Sequence, residues 1–282
     1  VNLKNKIENH LTNIARDRDP YLATAGHFFV QEYIRQQFAQ LGSVEIHTFR
    51  VRSKTCQNLI LNLPSQTESQ KGDLPPILIG AHYDAVPGTP GADDNATGVA
   101  VLLELARMFA TQPTKYPLRL VAFDMEEYGL LGSTEYAAKL KQEQQPLRLM
   151  ISLEMLGYCD RTPGSQSYPP PLERFYPNCG DFIALIGNWR TIRDLICISR
   201  SIRKVGVPSQ WLPVPNRGLI VRQTRQSDHA PFWDAGYPAI MVTDTAFMRN
   251  PNYHKPSDTI DTLDLDFLTG VCQGLESGIR RL

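Results

Sequence analysis

No apolar run in this 282-residue chain approaches the roughly 18 residues that cross a membrane. A membrane-spanning helix is therefore not expected, and no membrane partner is. No signal peptide is visible either. The chain begins with Val1 rather than Met, which leaves both a cytoplasmic location and export with the leader already removed as expectations. Charge of one sign is not in excess. Lys+Arg and Asp+Glu each total 29, for a formal net charge of zero. Nothing global points to nucleic acid or an anionic surface as a partner. Cysteine is scarce: Cys56, Cys159, Cys179, Cys197 and Cys272 are an odd number, with no CxxC. That argues against a zinc ribbon and a dense disulfide framework. Cys159 and Cys179 flank a loop and could pair, although buried free thiols are the commoner arrangement. There is no internal repeat and no low-complexity tract. What is left is a chain long enough to bury a large core, read as a single domain over 1–282.

The stretch Ile77 to Asn95, ILIGAHYDAVPGTPGADDN, organises the rest. It opens as a short buried strand and delivers His82 and Asp84 where that strand ends. A Pro/Gly turn then leads to Asp93, Asp94 and Asn95, and a helix apolar nearly all round is expected over Ala96–Ala110. Upstream, residues 1–43 read as two helices, Leu3–Ala15 and Ala23–Leu41, packed on the domain. His10 and His27 sit in them without acidic neighbours in sequence and are read as ordinary helix residues. Strands are expected over Val44–Val51 and Asn58–Leu63, joined by the Arg52–Gln57 turn. The polar stretch 64–73 reads as an exposed connection.

Downstream, the strand Pro117–Phe123 runs into Asp124-Met125-Glu126-Glu127. Ser133 is expected to cap a helix through Leu140. The strand Leu147–Leu153 ends on Glu154. Strand–helix–strand–helix–strand, with acids where strands stop, predicts an α/β fold: a largely parallel β-sheet with helices on both faces. The Pro-rich loop Tyr158–Pro177 reads either as a lid, with Tyr168, Phe175 and Tyr176 lining a pocket, or as packed surface. A strand Asp181–Ile186, a helix Thr191–Lys204 and a Pro/Gly-containing loop Pro213–Gly218 follow. Ser227-Asp228-His229 opens a short helix stopped by Gly236. Pro238–Val242 is the last strand expected. Asp264 caps a final helix to about Ile279.

The polar groups His82, Asp94, Glu127, Glu154 and His254 make two imidazoles and three carboxylates, a donor set suited to zinc. One carboxylate shared between two ions, with one His and one acid for each, would give a two-metal site. In the pair Glu126-Glu127, one carboxylate can bind metal while the other moves a proton. Asp84 is placed to accept the second imidazole N–H of His82 and orient the ring.

These stretches resemble the zinc-dependent aminopeptidases of the co-catalytic metallopeptidase clan (clan MH), the Aeromonas/Streptomyces-type and aminopeptidase Y-like enzymes. The matching segments are GAHYD at 80–84, PGADDNATG at 90–98, FDMEEYGLLGS at 123–133, LEMLGY at 153–158, SDHAPFWDAGYPA at 227–239 and Tyr253-His254. The resemblance implies a zinc exopeptidase (phosphorylase/hydrolase-like) fold and two zinc ions per chain. It also implies a peptide substrate, hydrolysed at its N-terminal residue. It makes Asp94 the bridging ligand, followed by a cis peptide bond to Asn95, with Asp93 not a ligand. His82 and Glu154 would be terminal ligands of different metals, as would Glu127 and His254. Glu126 matches the general base and Asp84 the orienting acid. Asp228 and His229 match a motif near the site without a stated role. Glu154 departs from the pattern, because many secreted members carry Asp there and Glu is found in carboxypeptidases of the sister family. Metallo-carboxypeptidase action is therefore an alternative, as are a single-zinc glutaminyl-peptide cyclotransferase and a non-catalytic binding domain of the same fold.

Overall fold

A computed structural model describes residues 2–66, 74–170 and 172–282. In chain order the elements are α1 (Leu3–Ile14), α2 (Thr24–Ala39), β1 (Val44–Val51), β2 (Lys54–Leu63), β3 (Ile77–His82), α3 (Gly98–Thr111), β4 (Leu118–Phe123), α4 (Leu131–Gln142), β5 (Leu149–Glu154), β6 (Ile183–Asn188), α5 (Ile192–Lys204), β7 (Ser209–Val214), α6 (His229–Ala235), β8 (Ala239–Thr243) and α7 (Leu265–Ile279). Among the described residues the strands form one eight-stranded sheet in the order β1-β2-β4-β3-β5-β8-β6-β7. The central strands β4, β3, β5 and β8 are parallel to one another. The β1–β2 hairpin adds antiparallel to β4, and β6 adds antiparallel to β8 with β7 parallel to β6.

The centre of the sheet follows from its composition. β3, β5 and β8 read ILIGAH, LMISLE and AIMVT, and every residue in them is buried. A strand covered on both faces needs such a nearly continuous apolar run. Successive side chains point to opposite faces. Ile77 and Ile79 thus join the large core with residues of α1, α2, α3, α5 and α7, while Leu78 joins a smaller core with Tyr136 of α4 and Phe232 and Trp233 of α6. Each fully buried Leu or Ile contributes about 1.5–3 kcal/mol. Helices on both faces and a mixed, centrally parallel sheet are the architecture the sequence predicts.

Several local expectations change. β2 begins at Lys54, not Asn58, so the hairpin turn is tight, with Val51 paired to Lys54. The helix expected over Ala96–Ala110 is preceded by an irregular turn, Ala92–Thr97, and runs from Gly98 to Thr111. Ser133 is not a cap: α4 starts at Leu131, and the buried Ser133 hydroxyl donates to the Leu130 carbonyl. β7 was not expected because Pro213 lies in it; the strand is at the sheet edge, where a missing N–H is tolerated. All five cysteines are free, so Cys159 and Cys179 do not pair. His10 and His27 find acids through the fold rather than the sequence. His10 Nε2 lies 3.3 Å from Glu104, and His27 Nε2 lies 2.8 Å from Asp124. Asp264 caps α7 as expected, accepting from the backbone N–H of Asp266 and Phe267. Residues 67–73 of the expected connection, and Pro171 of the expected lid, lie outside the described residues.

Candidate metal centre

Three parallel strands bring their carboxyl ends to one sheet edge, where ligands gather in open α/β folds. β3 ends on His82 and β5 on Glu154. Beyond β4 the chain turns at Met125, in a left-handed conformation (φ 61°), and presents Glu126 and Glu127. Asp94 comes from the turn before α3, and His254 (φ 55°) from the loop after β8. Left-handed non-glycine residues cost on the order of 1 kcal/mol each and cluster at functional sites.

All five expected ligands meet. Asp94 stands in the middle: Oδ1 is 3.3 Å from His82 Nε2, and Oδ2 is 3.1 Å from His254 Nε2. His82 Nε2 is also 3.6 Å from Glu154 Oε1, while His254 Nε2 is 3.3 Å from Glu127 Oε2. Among the described residues three metal-capable triads result, His82–Asp94–Glu154, Asp94–Glu127–His254 and His82–Glu126–Glu127, the ligand atoms of each within 4.8 Å of one another. The resemblance implies His82 and Glu154 on different ions, whereas the fold sets them side by side. His82 shares a triad with Glu154 because β3 and β5 are neighbouring strands, and His254 shares one with Glu127. Glu126 Oε2 lies 3.9 Å from His82 Nε2. Asp84 Oδ1 lies 3.4 Å from His82 Nδ1, and the Asp84 carboxylate accepts the backbone N–H of Glu126 (3.1 Å) and Glu127 (3.2 Å). The Asp94–Asn95 peptide is cis.

The electrostatics are those of a cavity made for cations. Burial, then the Asp94 charge, pushes Glu127 up to about 7, against the pull of His254. Burial pushes Glu126 well above the carboxylate range; His82 opposes this, and Glu154, Glu127 and Asp228 add to it. Burial would also raise Asp94, but its contacts with His254 and His82 hold it below the usual range. His82 Nδ1 and Nε2, Glu127 Oε1 and Glu154 Oε2 are buried without an aligned hydrogen-bond partner among the described residues. Leaving such atoms unsatisfied is costly. Imidazole nitrogens and carboxylate oxygens in this proportion fit zinc.

A set of residues, of which sequence named only Asp93 and Asn95, stands behind these side chains. Asp258 accepts the N–H of Asp93 (2.9 Å) and Asp94 (3.1 Å). Asp93 accepts from Gly157 N (2.9 Å) and Asn250 Nδ2 (2.7 Å). Asn95 joins the turn to β5, donating to Leu153 O (2.8 Å). Arg18, fully buried, donates to the carbonyls of Gly91 and Asp94. Arg18, Asn250 and Asp258 lie in no local motif; only their position in the fold marks them.

Asp228 and His229 are both fully buried. The Asp228 carboxylate, pushed up to about 7 by burial, has no aligned hydrogen-bond partner. His229 Nε2 donates to the Thr224 carbonyl (2.8 Å), and the ring packs edge-on against Trp233. From Glu154 and Tyr253 an apolar cleft of about 820 Å³, counting its open mouth, runs under the Pro-rich loop. Tyr168 and Tyr176 of that loop line it, with Leu172, Trp211 and Met241. Phe175 does not; it is 75% exposed.

The pattern of peptidase family M28 matches residues 58–184 and 196–275. The chain is 39% identical over 261 residues to the uncharacterized protein YfbL of Escherichia coli (strain K12), covering 86% of this chain and 77% of that one. It is 29% identical over 220 residues to aminopeptidase YwaD of Bacillus subtilis (strain 168), covering 77% of this chain and 42% of that one. Among solved structures, the LapA aminopeptidase of Legionella pneumophila superposes with a TM-score of 0.74 at 21% identity, over 98% of this chain and 70% of that one. BSAP, a zinc aminopeptidase from Bacillus subtilis, superposes at 0.61 with 26% identity, over 82% of this chain and 50% of that one. The chain thus spans about three quarters of YfbL but half or less of YwaD and BSAP. With the family pattern covering most of its length and the expected ligands gathered at one sheet edge, the chain belongs to peptidase family M28.

Proposed function

We propose that this chain is a zinc-dependent metallo-aminopeptidase, removing residues from the N-terminus of peptides, and that 1–282 work as one peptidase domain. The observation that carries this reading is Asp94, with one carboxylate oxygen turned to each of two His–acid pairs. On this reading His82, Asp94 and Glu154 hold one ion, and Asp94, Glu127 and His254 hold the second. Zinc in such a site supplies a Lewis acid for the scissile carbonyl and an attacking water of lowered pKa. Glu126, 3.9 Å from His82 Nε2, would take the proton of the attacking water and pass it to the leaving amine. Asp84 holds the Glu126–Glu127 backbone in place and faces His82 Nδ1. The cleft beyond Glu154 receives the first side chain of the peptide, and its Tyr168, Leu172, Trp211 and Met241 lining suits an apolar one.

The test combines metal content per chain with hydrolysis of a leucyl peptide and a Gln-leading peptide, before and after chelation. The expected result is about two zinc ions per chain and chelator-sensitive release of the N-terminal residue. One zinc with cyclisation of the Gln peptide would transfer the chain to the cyclotransferase reading. Release from the C-terminus would make it a carboxypeptidase. No metal and no turnover would leave a binding domain.

A further inference from the structure

Arg18 lies in the connection between α1 and α2 and is fully buried. Its guanidinium donates to main-chain carbonyls: Nε to Tyr83 (2.9 Å), Nη1 to Pro90 (2.6 Å), and Nη2 to Gly91 (2.8 Å) and Asp94 (3.1 Å). Nη1 makes longer bonds to Arg16 (3.2 Å) and Ile14 (3.5 Å). None of these acceptors is a carboxylate. Four of them belong to the segment 83–94, which carries both Asp84 and Asp94. One planar group therefore ties down both ends of that segment.

The neighbouring residues of the connection act alike. Asp17 Oδ2 accepts from Gly88 N (3.2 Å). Asp19 Oδ2 accepts from the Tyr128 hydroxyl (2.6 Å), one residue beyond Glu127. The loop is also shaped around Arg18. Gly91 has φ 54°, and a Cβ there would lie 2.9 Å from both Nη atoms and 2.3 Å from the Asp94 carbonyl. The residues matching family M28 begin at 58, so the whole connection lies outside them.

A buried cation beside a site for two dications opposes metal loading by its charge. What favours the site is the geometry of the fork, which a lysine cannot reproduce. We propose that Arg18 is a positioning residue of the metal centre: its guanidinium fixes the 83–94 segment so that Asp84 and Asp94 meet His82, Glu127 and His254 in register. The α1–α2 connection thereby becomes part of the site. This proposal rests on the metallopeptidase reading above.

The test compares the full chain with R18K, R18M and G91A. Zinc affinity of the metal-free proteins is measured by competition with a chromophoric chelator. Near-ultraviolet circular dichroism and urea unfolding report the fold, and kcat and KM are measured on a leucyl substrate. R18K and R18M are expected to stay folded yet lose zinc affinity by about tenfold or more, the scale found when support behind metal ligands is removed. Their kcat falls with it, with KM little changed, and G91A behaves likewise. Native zinc affinity and kcat in folded R18K would overturn the proposal, since charge and bulk would then suffice. Tighter zinc binding in R18M would assign Arg18 an electrostatic effect alone. An R18K chain that does not fold would assign Arg18 to the core and equally overturn it. Wild-type protein that binds no zinc and turns over no peptide fails the metallopeptidase reading at the outset, before any variant is compared, and the proposal falls with it.

Discussion

Asp84 and Glu126 are close in space and differ in what each can lose. Among the described residues the Glu126 side chain makes no hydrogen bond that braces the fold, and its proposed work is proton transfer. Glu126→Gln keeps size and removes basicity. The expected outcome is native zinc content and native unfolding, with kcat lower by about 10²–10⁴-fold; full activity in a steady-state assay would refute the role. Asp84 instead accepts two backbone N–H groups and faces a ring nitrogen. Asp84→Asn turns an amide N–H toward one of those donors. Zinc affinity is expected to fall by about 10–100-fold, read by chelator competition, and kcat should fall even when zinc is saturating. Unchanged affinity would remove Asp84 from the support of the site. His82, Asp94, Glu127, Glu154 and His254 were legible in sequence because each sits at a strand end or turn in a motif. Arg18, Asp258 and Asn250 were not. Their partners are backbone groups and braces 73, 165 and 157 positions away, and no local spacing encodes that.

At the scale of elements, the glycines of α7 show how close packing is obtained. Gly270, Gly274 and Gly278 recur every four residues, so they share one helix face. That face lies against α5 and the residues after it: a Cβ on Gly274 would come within 2.6 Å of Ile202 Cα, and one on Gly278 within 3.1 Å of Ile198 Cα. Gly274→Ala gains helix propensity of about 1 kcal/mol but meets backbone, which cannot move aside without shifting α5. The expected net result is destabilisation of about 1–3 kcal/mol, seen as a lower urea midpoint with an unchanged slope. A raised midpoint would mean that the helices separate freely. Elements with strong periodicity or buried apolar runs were read correctly to within a few residues: α1, β3, β5, α5 and α7. The misreadings fell where a local cue competed with tertiary pairing. Pro213 hid β7, whose edge position makes proline harmless. Ser133 resembled a cap, yet the residue that precedes α4 is Leu130, in the αL conformation.

For the molecule as a whole, pH acts on stability through groups the fold buries. Burial holds His229 at about 3; its bond to Thr224 opposes this and Arg225 adds to it. In the unfolded chain a histidine titrates near 6.5. Between about pH 6.5 and 3 the unfolded state therefore binds a proton that the folded state refuses. Stability from this group is intact above that window and is lost as pH falls through it. Wild type is expected to lose stability on acidification more steeply than His229→Gln, by up to about 1.4 kcal/mol per pH unit. Urea unfolding of both proteins across that range measures the difference; parallel curves would show that His229 protonates in the folded state.

Sequence by itself determined the buried central strands, the helices on both sides and the chemical kinds of residue at the strand ends. Each of these is set by side chains near in sequence: the period of an apolar stripe, a run covered on both faces, a turn rich in Pro and Gly. Tertiary structure alone decided the strand order that sets β3 between β4 and β5. That order brought Glu154 to within 3.6 Å of His82 Nε2. It also decided that a connection near the N-terminus would hold the loop bearing Asp84 and Asp94. Such pairings arise from long-range register and from buried polar groups seeking partners wherever the packed chain offers them, and no local pattern records where that will be.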